Sequence, residues 1–221
     1  KKPMILICNH VDEEKSDFDN TIEQAKERFG RKVTVVQYPY NQGVDFNAII
    51  DVHTMVMYQF GADGGKPEKL PIPESEMAKA QQLHNELIEA IAENDEGLME
   101  KFFEKGTLEE DEMVKGMMLS IRHHELFPVF VASAKHNMGS GRIMGFIDKC
   151  CPSAAHMKPE KLTNGQDLPC NTSNPTIAFV FKTVSEPHLG DMSFFKVCSG
   201  KVTAGIDLNN TKGLYFKLTS F

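Results

Sequence analysis

The sequence predicts an α/β fold: a parallel sheet that is interrupted by an inserted α+β subdomain and followed by an incomplete antiparallel β-barrel. Two continuous apolar runs, 3–8 and 128–133, have the pattern of strands buried on both faces of a parallel sheet. An acidic segment with helical periodicity lies between them, at 74–125. After Pro175 the chain changes to alternating strands with glycine turns, which is typical of an antiparallel barrel.

The remaining elements divide the chain into domains. The first apolar run is followed by a helix that ends at Gly30, and two extended stretches at 32–38 and 46–58 predict a small antiparallel sheet. The proline- and glycine-containing stretch 154–174 predicts a linker. The predicted organisation is an α/β domain made of 1–30 and 125–153, an inserted α+β subdomain at 31–124, a linker at 154–174 and a partial barrel at 175–221.

Composition and charge exclude several classes of protein. The 221 residues include 24 basic and 31 acidic side chains, a formal net charge of -7, so the chain is not a basic nucleic-acid binder and free DNA is not an expected partner. No apolar run reaches the roughly 18 residues of a membrane-spanning helix, so no membrane partner is expected. The five cysteines form no CxxC pair and are interpreted as reduced thiols, which favours a cytoplasmic location.

Polar side chains follow the first buried strand, in the sequence Asn9-His10-Val11-Asp12. Open α/β sheets hold their ligands at the carboxyl ends of the strands. Guanine has two adjacent N–H donors on its Watson–Crick edge and adenine does not, so a fixed carboxylate such as that of Asp12 can select guanine. The alternative is that Asn9 and Asp12 are turn residues that close a strand.

The second buried strand ends in Ser133-Ala134-Lys135. Neighbouring parallel strands would place this turn and the turn after the first strand beside one ligand. A backbone N–H of the second turn would then meet the carbonyl oxygen of the base.

The order of these parts resembles the elongation factor G family of translational GTPases, and the resemblance covers nearly the whole chain. The parts are N-x-x-D, an acidic insertion, S-A-K, a helix that ends at a proline, and a barrel. Further stretches that resemble the family are FNAIIDV at 46–52, LPIPE at 70–74, PVF at 128–130 and FFKVCSGKVTAG at 194–205. The resemblance implies a P-loop-GTPase-type sheet and a barrel of the translation-factor domain II type, so the chain looks like an internal piece of such a protein.

The resemblance also implies roles for six residues. The guanine-nucleotide-binding residues would be Asn9, His10, Asp12, Ser133, Ala134 and Lys135. Asn9 and Asp12 correspond to the Asn and Asp of the family's NKxD motif. His10 stands where the family has Lys, whose alkyl stem packs along the nucleotide; imidazole is shorter and usually neutral at pH 7. We therefore expect this departure to weaken guanine binding.

The phosphate-binding motifs of a GTPase do not occur in this sequence. It has no GxxxxGK[ST] phosphate loop and no DxxG motif ahead of Asn9. GTP or GDP is thus the implied ligand, with magnesium in the full-length protein but none held by this chain, and no catalytic residue is assigned here. The stretch GADGGKP at 61–67 imitates a phosphate loop but is one residue short, and it is predicted to be a flexible surface turn.

The implied function is ribosomal translocation during protein synthesis, with the ribosome as partner. In the family the acidic insert contacts the stalk protein of the large subunit and the barrel faces the small subunit. A solvated face is the simpler interpretation of the acidic helices. Two alternatives stay open: a paralogous ribosome-associated GTPase of the recycling, release-factor or tetracycline-protection type, and a non-enzymatic ribosome-binding module.

Overall fold

The computed structural model describes residues 2–188, 190–210, 213 and 215–217. The chain divides into two compact units, Lys1–Pro152 and Ser153–Phe221. In chain order the elements are β1 (Leu6–Cys8), α1 (Phe18–Phe29), β2 (Val33–Val35), β3 (Gln37–Pro39), β4 (Ala48–Asp51), β5 (Val56–Gln59), β6 (Glu68–Leu70), α2 (Glu74–Ala92), α3 (Glu96–Lys105), α4 (Glu110–His123), β7 (Phe127–Val131), α5 (Ser140–Cys150), β8 (Glu160–Lys161), β9 (Asp167–Leu168), β10 (Ile177–Glu186), β11 (Gly190–Ser199), β12 (Asp207–Asn209) and β13 (Tyr215–Lys217).

The parallel sheet predicted from the two apolar runs is present in the order β1-β7-β2. The central strand β7 has the expected burial, since Val129, Phe130 and Val131 are at most 1% exposed. The prediction of burial on both faces is wrong for β1, where Ile7 is 48% exposed. Both β1 and β2 are edge strands among the described strands, yet β2 is buried. The exposure of Ile7 therefore reflects a face of β1 that the described residues leave uncovered.

The boundary of the inserted subdomain differs from the predicted start at residue 31. Val33–Val35 form β2, which pairs in parallel with β7 and so belongs to the α/β sheet. The antiparallel sheet begins at β3 and has the order β3-β4-β5-β6. A β-branched run suits either sheet, so the pattern at 32–38 did not show that the chain passes from one sheet to the other. The name "the insert" is used below for residues 37–123.

The acidic helical segment is confirmed as α2, α3 and α4, which follow the antiparallel sheet. Ile91 of α2 and Met117 of α4 are fully buried in the core that the insert shares with the parallel sheet. The two helices approach closely at Gly116, where an added Cβ would overlap the side chain of Ile91 and lie 2.8 Å from Leu98 Cδ1. A glycine at this position lets α4 pack against α2 and α3.

The second unit contains antiparallel strands, as predicted. Strands β10 and β11 form one hairpin, and β12 pairs with β13 in a separate two-stranded sheet. Closure of these strands into a barrel stays a prediction. The last predicted strand included Leu218, which lies outside the described residues. Within the predicted linker 154–174, β8 and β9 form a short antiparallel pair that belongs to this unit.

In the described part of the chain, no helix has both the length and the apolar content that crossing a membrane requires.

We expect the substitution Gly116→Ala to lower the free energy of unfolding, because overpacking a filled site costs about 1–3 kcal/mol. All but the lower end of this range exceeds the gain of about 1 kcal/mol that Gly→Ala brings inside a helix. Gly145→Ala on α5 is the matched control, because no atom lies within 4 Å of its added Cβ. Urea denaturation should show the control stabilised and Gly116→Ala destabilised; equal stabilisation of both would contradict the packing described here.

Candidate functional site

The two polar turns lie side by side because the strands that precede them are paired. Cys8 of β1 is in register with Val131 of β7. The pairing continues one residue further, where the Ala132 N–H donates to the Cys8 carbonyl oxygen at 2.9 Å. The turn of residues 9–12, called the first turn, and the loop of residues 133–138, called the base loop, therefore leave the same edge of the sheet.

A direct hydrogen bond joins the two turns. Asn9 Oδ1 accepts from the Ala134 N–H at 3.0 Å, across 125 residues of sequence. The structure thus brings together two residues that the sequence analysis assigned to one ligand. None of the described residues accepts from the neighbouring Lys135 N–H, which leaves it as a donor of the base loop.

The Asp12 side chain is nearly buried, at 8% exposure, with Oδ2 3.5 Å from Nε2 of His136. Its Oδ1 has no hydrogen-bond partner among the described residues. Burial on its own would raise the pKa of this carboxyl. The nearby Ser133 hydroxyl and the Asp12 backbone N–H, together with the charges of His136 and Lys135, outweigh that effect and lower the pKa below the usual range. Asp12 is therefore ionised, and its carboxylate can accept hydrogen bonds.

The base loop is closed on itself by its first and last residues. Ser133 and Met138 form an antiparallel bridge in which each N–H donates to the other's carbonyl oxygen at 3.0 Å. The hydroxyl of Ser133, whose residue is fully buried, accepts from the His136 N–H at 3.3 Å. Ser133 thus shapes the loop, whereas Ala134 and Lys135 are exposed at its tip.

His10 is the site residue with the least contact to the others. Its backbone is left-handed, with a φ of 64°, a region in which His is more common than most residues. Its imidazole is 62% exposed, and Nδ1 lies 3.0 Å from a carboxylate oxygen of Glu13. The side chain therefore lies at the rim of the first turn.

His136 is a residue of this site that the sequence analysis missed. It follows Ser133-Ala134-Lys135 directly, but a histidine in a loop has no periodicity and matches no motif. Its contact with Asp12 depends on the pairing of strands that are distant in sequence. Among the described residues, no group of three or more His, Cys, Asp or Glu side chains is placed to hold a metal ion.

Comparison with known proteins gives a match over almost the entire chain. Elongation factor G from Mycoplasma genitalium is 28% identical to it over 217 residues, which are 95% of this chain and 31% of that protein. The chain is similar to elongation factor G over nearly its whole length. The resemblance inferred from the motifs is thereby confirmed, although no protein-family model matches the sequence.

The fold of the chain also matches that of a solved structure. A crystal structure of a protein from Thermus thermophilus superimposes with a TM-score of 0.80 and 23% identity, over 98% of this chain and 30% of that chain. The chain thus spans about a third of the length of both proteins. The roles of the six site residues toward a nucleotide stay predictions.

The lowered pKa of Asp12 predicts a specific pH dependence of stability. A carboxyl whose pKa is lower in the folded state stabilises the fold above its unfolded pKa of about 3.9, and this contribution is lost as the pH falls through the folded pKa. We expect Asp12→Asn to remove that part of the acid sensitivity, so the difference in stability from the wild type shrinks below about pH 4. Urea denaturation between pH 2 and 7, with the exposed Glu27→Gln as control, measures it. A difference that is constant with pH would contradict the ionised Asp12 described here.

Proposed function

We propose that this chain is part of an elongation factor G-like GTPase that binds GTP and GDP and promotes ribosomal translocation during protein synthesis. In this proposal the chain supplies the guanine-base pocket. The observation that carries the proposal is the hydrogen bond from Ala134 to Asn9, which joins the two motif-bearing turns beside the Asp12 carboxylate. The similarity to elongation factor G over 95% of the chain supports it.

The chemistry of Asp12 suits guanine. A carboxylate accepts hydrogen bonds, and the Watson–Crick edge of guanine supplies two adjacent N–H donors where adenine supplies no such pair. The unpartnered Oδ1 of Asp12 is the acceptor that such a donor would satisfy. A bound base would compete with the imidazole of His136, whose Nε2 lies 3.5 Å from Oδ2.

The base loop offers a hydrogen-bond donor for the 6-oxygen of guanine. The 6-oxygen of guanine is a hydrogen-bond acceptor, and adenine has an amino group in its place. The Lys135 N–H, which donates to none of the described residues, is a donor at the tip of the loop. One acceptor on the first turn and one donor on the base loop would together recognise guanine. The phosphates and magnesium would be held by parts of the parent protein whose motifs this sequence does not contain.

The proposed partner is the ribosome, in the cytoplasm. Exposed carboxylates on and beside the helices of the insert form an acidic surface, which suits a partner with basic or polar complementarity. They are Glu86, Glu89, Glu93, Glu96, Glu100, Glu104, Glu109 and Glu110. In the proposal this surface contacts the stalk protein of the large subunit, and the second unit contacts the small subunit.

One observation favours a second candidate, a ribosome-binding module that has lost nucleotide binding. His10 occupies the position of the family's motif Lys, and its imidazole contacts Glu13. In that case the acidic insert and the second unit would carry the function. Binding to ribosomes that no guanine nucleotide changes would support this candidate over the first.

We expect wild-type chain to bind GDP more tightly than ADP, and Asp12→Ala to abolish the preference. A bidentate contact is worth about 1–3 kcal/mol, or roughly fivefold to 150-fold in affinity. Titration of isotope-labelled chain, followed by NMR, measures affinities in the weak range expected without a phosphate loop. Asp148→Ala, at an exposed position on α5, is the matched control. Equal affinity of the wild type for GDP and ADP would overturn the proposal.

We expect His10→Lys to strengthen GDP binding severalfold, because the alkyl stem of lysine reaches further along a nucleotide than imidazole does. The same titration measures the change, and His10→Gln is the control because it removes the ring without adding a longer stem. An affinity unchanged in His10→Lys would show that position 10 does not touch the nucleotide.

A further inference from the structure

Two turns of the insert reach the two turns of the candidate site. The first is the turn around Gly43, whose N–H donates to the Val11 carbonyl oxygen at 2.8 Å. Beside it, Gln42 Oε1 accepts from the Phe18 N–H at 3.0 Å. This N–H lies in the first turn of α1, where backbone N–H groups have no partner within the helix. The first turn of the site and the helix that follows it are thus held by residues of the insert.

The second contact is made by the segment Gly61–Gly65, between β5 and β6, called the insert turn. Its Gly65 N–H donates to the Asn137 carbonyl oxygen at 3.0 Å. At Gly64 the two backbones approach so closely that an added Cβ would overlap the carbonyl oxygen of His136 and lie 3.0 Å from that of Asn137. Gly64 also has a φ of 66°, which L side chains rarely adopt. The turn predicted as a flexible imitation of a phosphate loop is therefore docked on the base loop.

The insert turn contacts the part of the base loop that follows Lys135. The carbonyl groups at its contact belong to His136 and Asn137, which directly follow Lys135. A shift of the His136 peptide group would change the direction of the Lys135 N–H, because the two residues are adjacent in one short loop. The base loop is held from the first turn by Asn9 and from the insert by Gly65.

We propose that Gly64 is a positioning residue for guanine recognition: the insert turn fixes the base loop so that its backbone donor meets the 6-oxygen of the base. This inference rests on the proposed function. It makes the insert a part of the nucleotide site as well as a surface for partners. A displacement of the insert turn would therefore change the affinity for guanine nucleotide, although the insert turn makes no contact with the ligand.

Three alanine variants of the insert turn separate contact from strain. Gly64→Ala introduces both a clash with the base loop and a strained φ. Gly65→Ala introduces a strained φ of 80° with no atom within 4 Å, and Gly61→Ala introduces neither. The ligands are GDP, ADP and the diphosphate of 2-aminopurine riboside, which keeps the 2-amino group of guanine but lacks its 6-oxygen and its N1–H. Affinities are measured by NMR titration, and the amide signals of residues 134–137 are compared in the free variants.

We expect Gly64→Ala to shift the amide signals of the base loop and to weaken GDP binding roughly tenfold more than Gly65→Ala does, because one hydrogen bond to the base is lost. Binding of the 2-aminopurine nucleotide should change by less than twofold, because it makes no contact with the loop donor. A merely structural role would lower both affinities together and so would overturn the inference. Equal GDP affinity in Gly64→Ala and Gly61→Ala would also overturn it.

If Gly64→Ala does not fold, hydrogen exchange of the wild type tests the same inference. GDP should slow hydrogen exchange at the Gly65 amide, which bonds to the base loop, and leave the Gly61 amide unchanged. Unchanged exchange at Gly65 in the presence of bound GDP would overturn the inference. Failure of the wild type to prefer GDP over ADP would instead overturn the proposed function, and the two failures are therefore distinguishable.

Discussion

The parallel pairing of β1 with β7 is the constraint on which the candidate site depends. It joins residues more than a hundred positions apart, and its last hydrogen bond, from Ala132 to Cys8, lies directly before both polar turns. A one-residue slip of this register would reverse the faces of the side chains and separate Asn9 from Ala134. The burial of β7 opposes such a slip, because Val129 and Val131 are completely enclosed in the core.

Opposing electrostatic effects keep Asp12 ionised where burial disfavours charge. A buried carboxylate is stable when hydrogen bonds and nearby positive charges offset the loss of hydration. The Ser133 hydroxyl and the backbone supply the polar groups, and His136 and Lys135 supply the charges. All three of these side chains belong to the base loop, so the loop that we propose to face the base also sets the charge state of its partner carboxylate.

The insert and the α/β sheet behave as one packed body within the first unit. Ile49 and Ile50 of β4, Leu87 of α2 and Phe130 of β7 lie in a single hydrophobic cluster with almost no exposed surface. Tight packing of this kind transmits displacement, since interiors have few voids to absorb it. At the edge of this packed unit, Gly43 contacts the first turn and Gly64 contacts the base loop.

The sequence by itself determined the class of the fold and the position of its polar turns. Apolar runs, helical periodicity and two short motifs predicted the parallel sheet, the helices of the insert and the residues Asn9, Asp12 and Ala134, because these signals are local. The assignment of Val33–Val35 to the parallel sheet and the exposure of Ile7 required the tertiary structure, since strand neighbours are not encoded in a strand's own pattern. The same holds for His136 and Gly64, which acquire their contacts from segments distant in sequence. Residue type and spacing are properties of the chain, whereas proximity is decided only when the core packs.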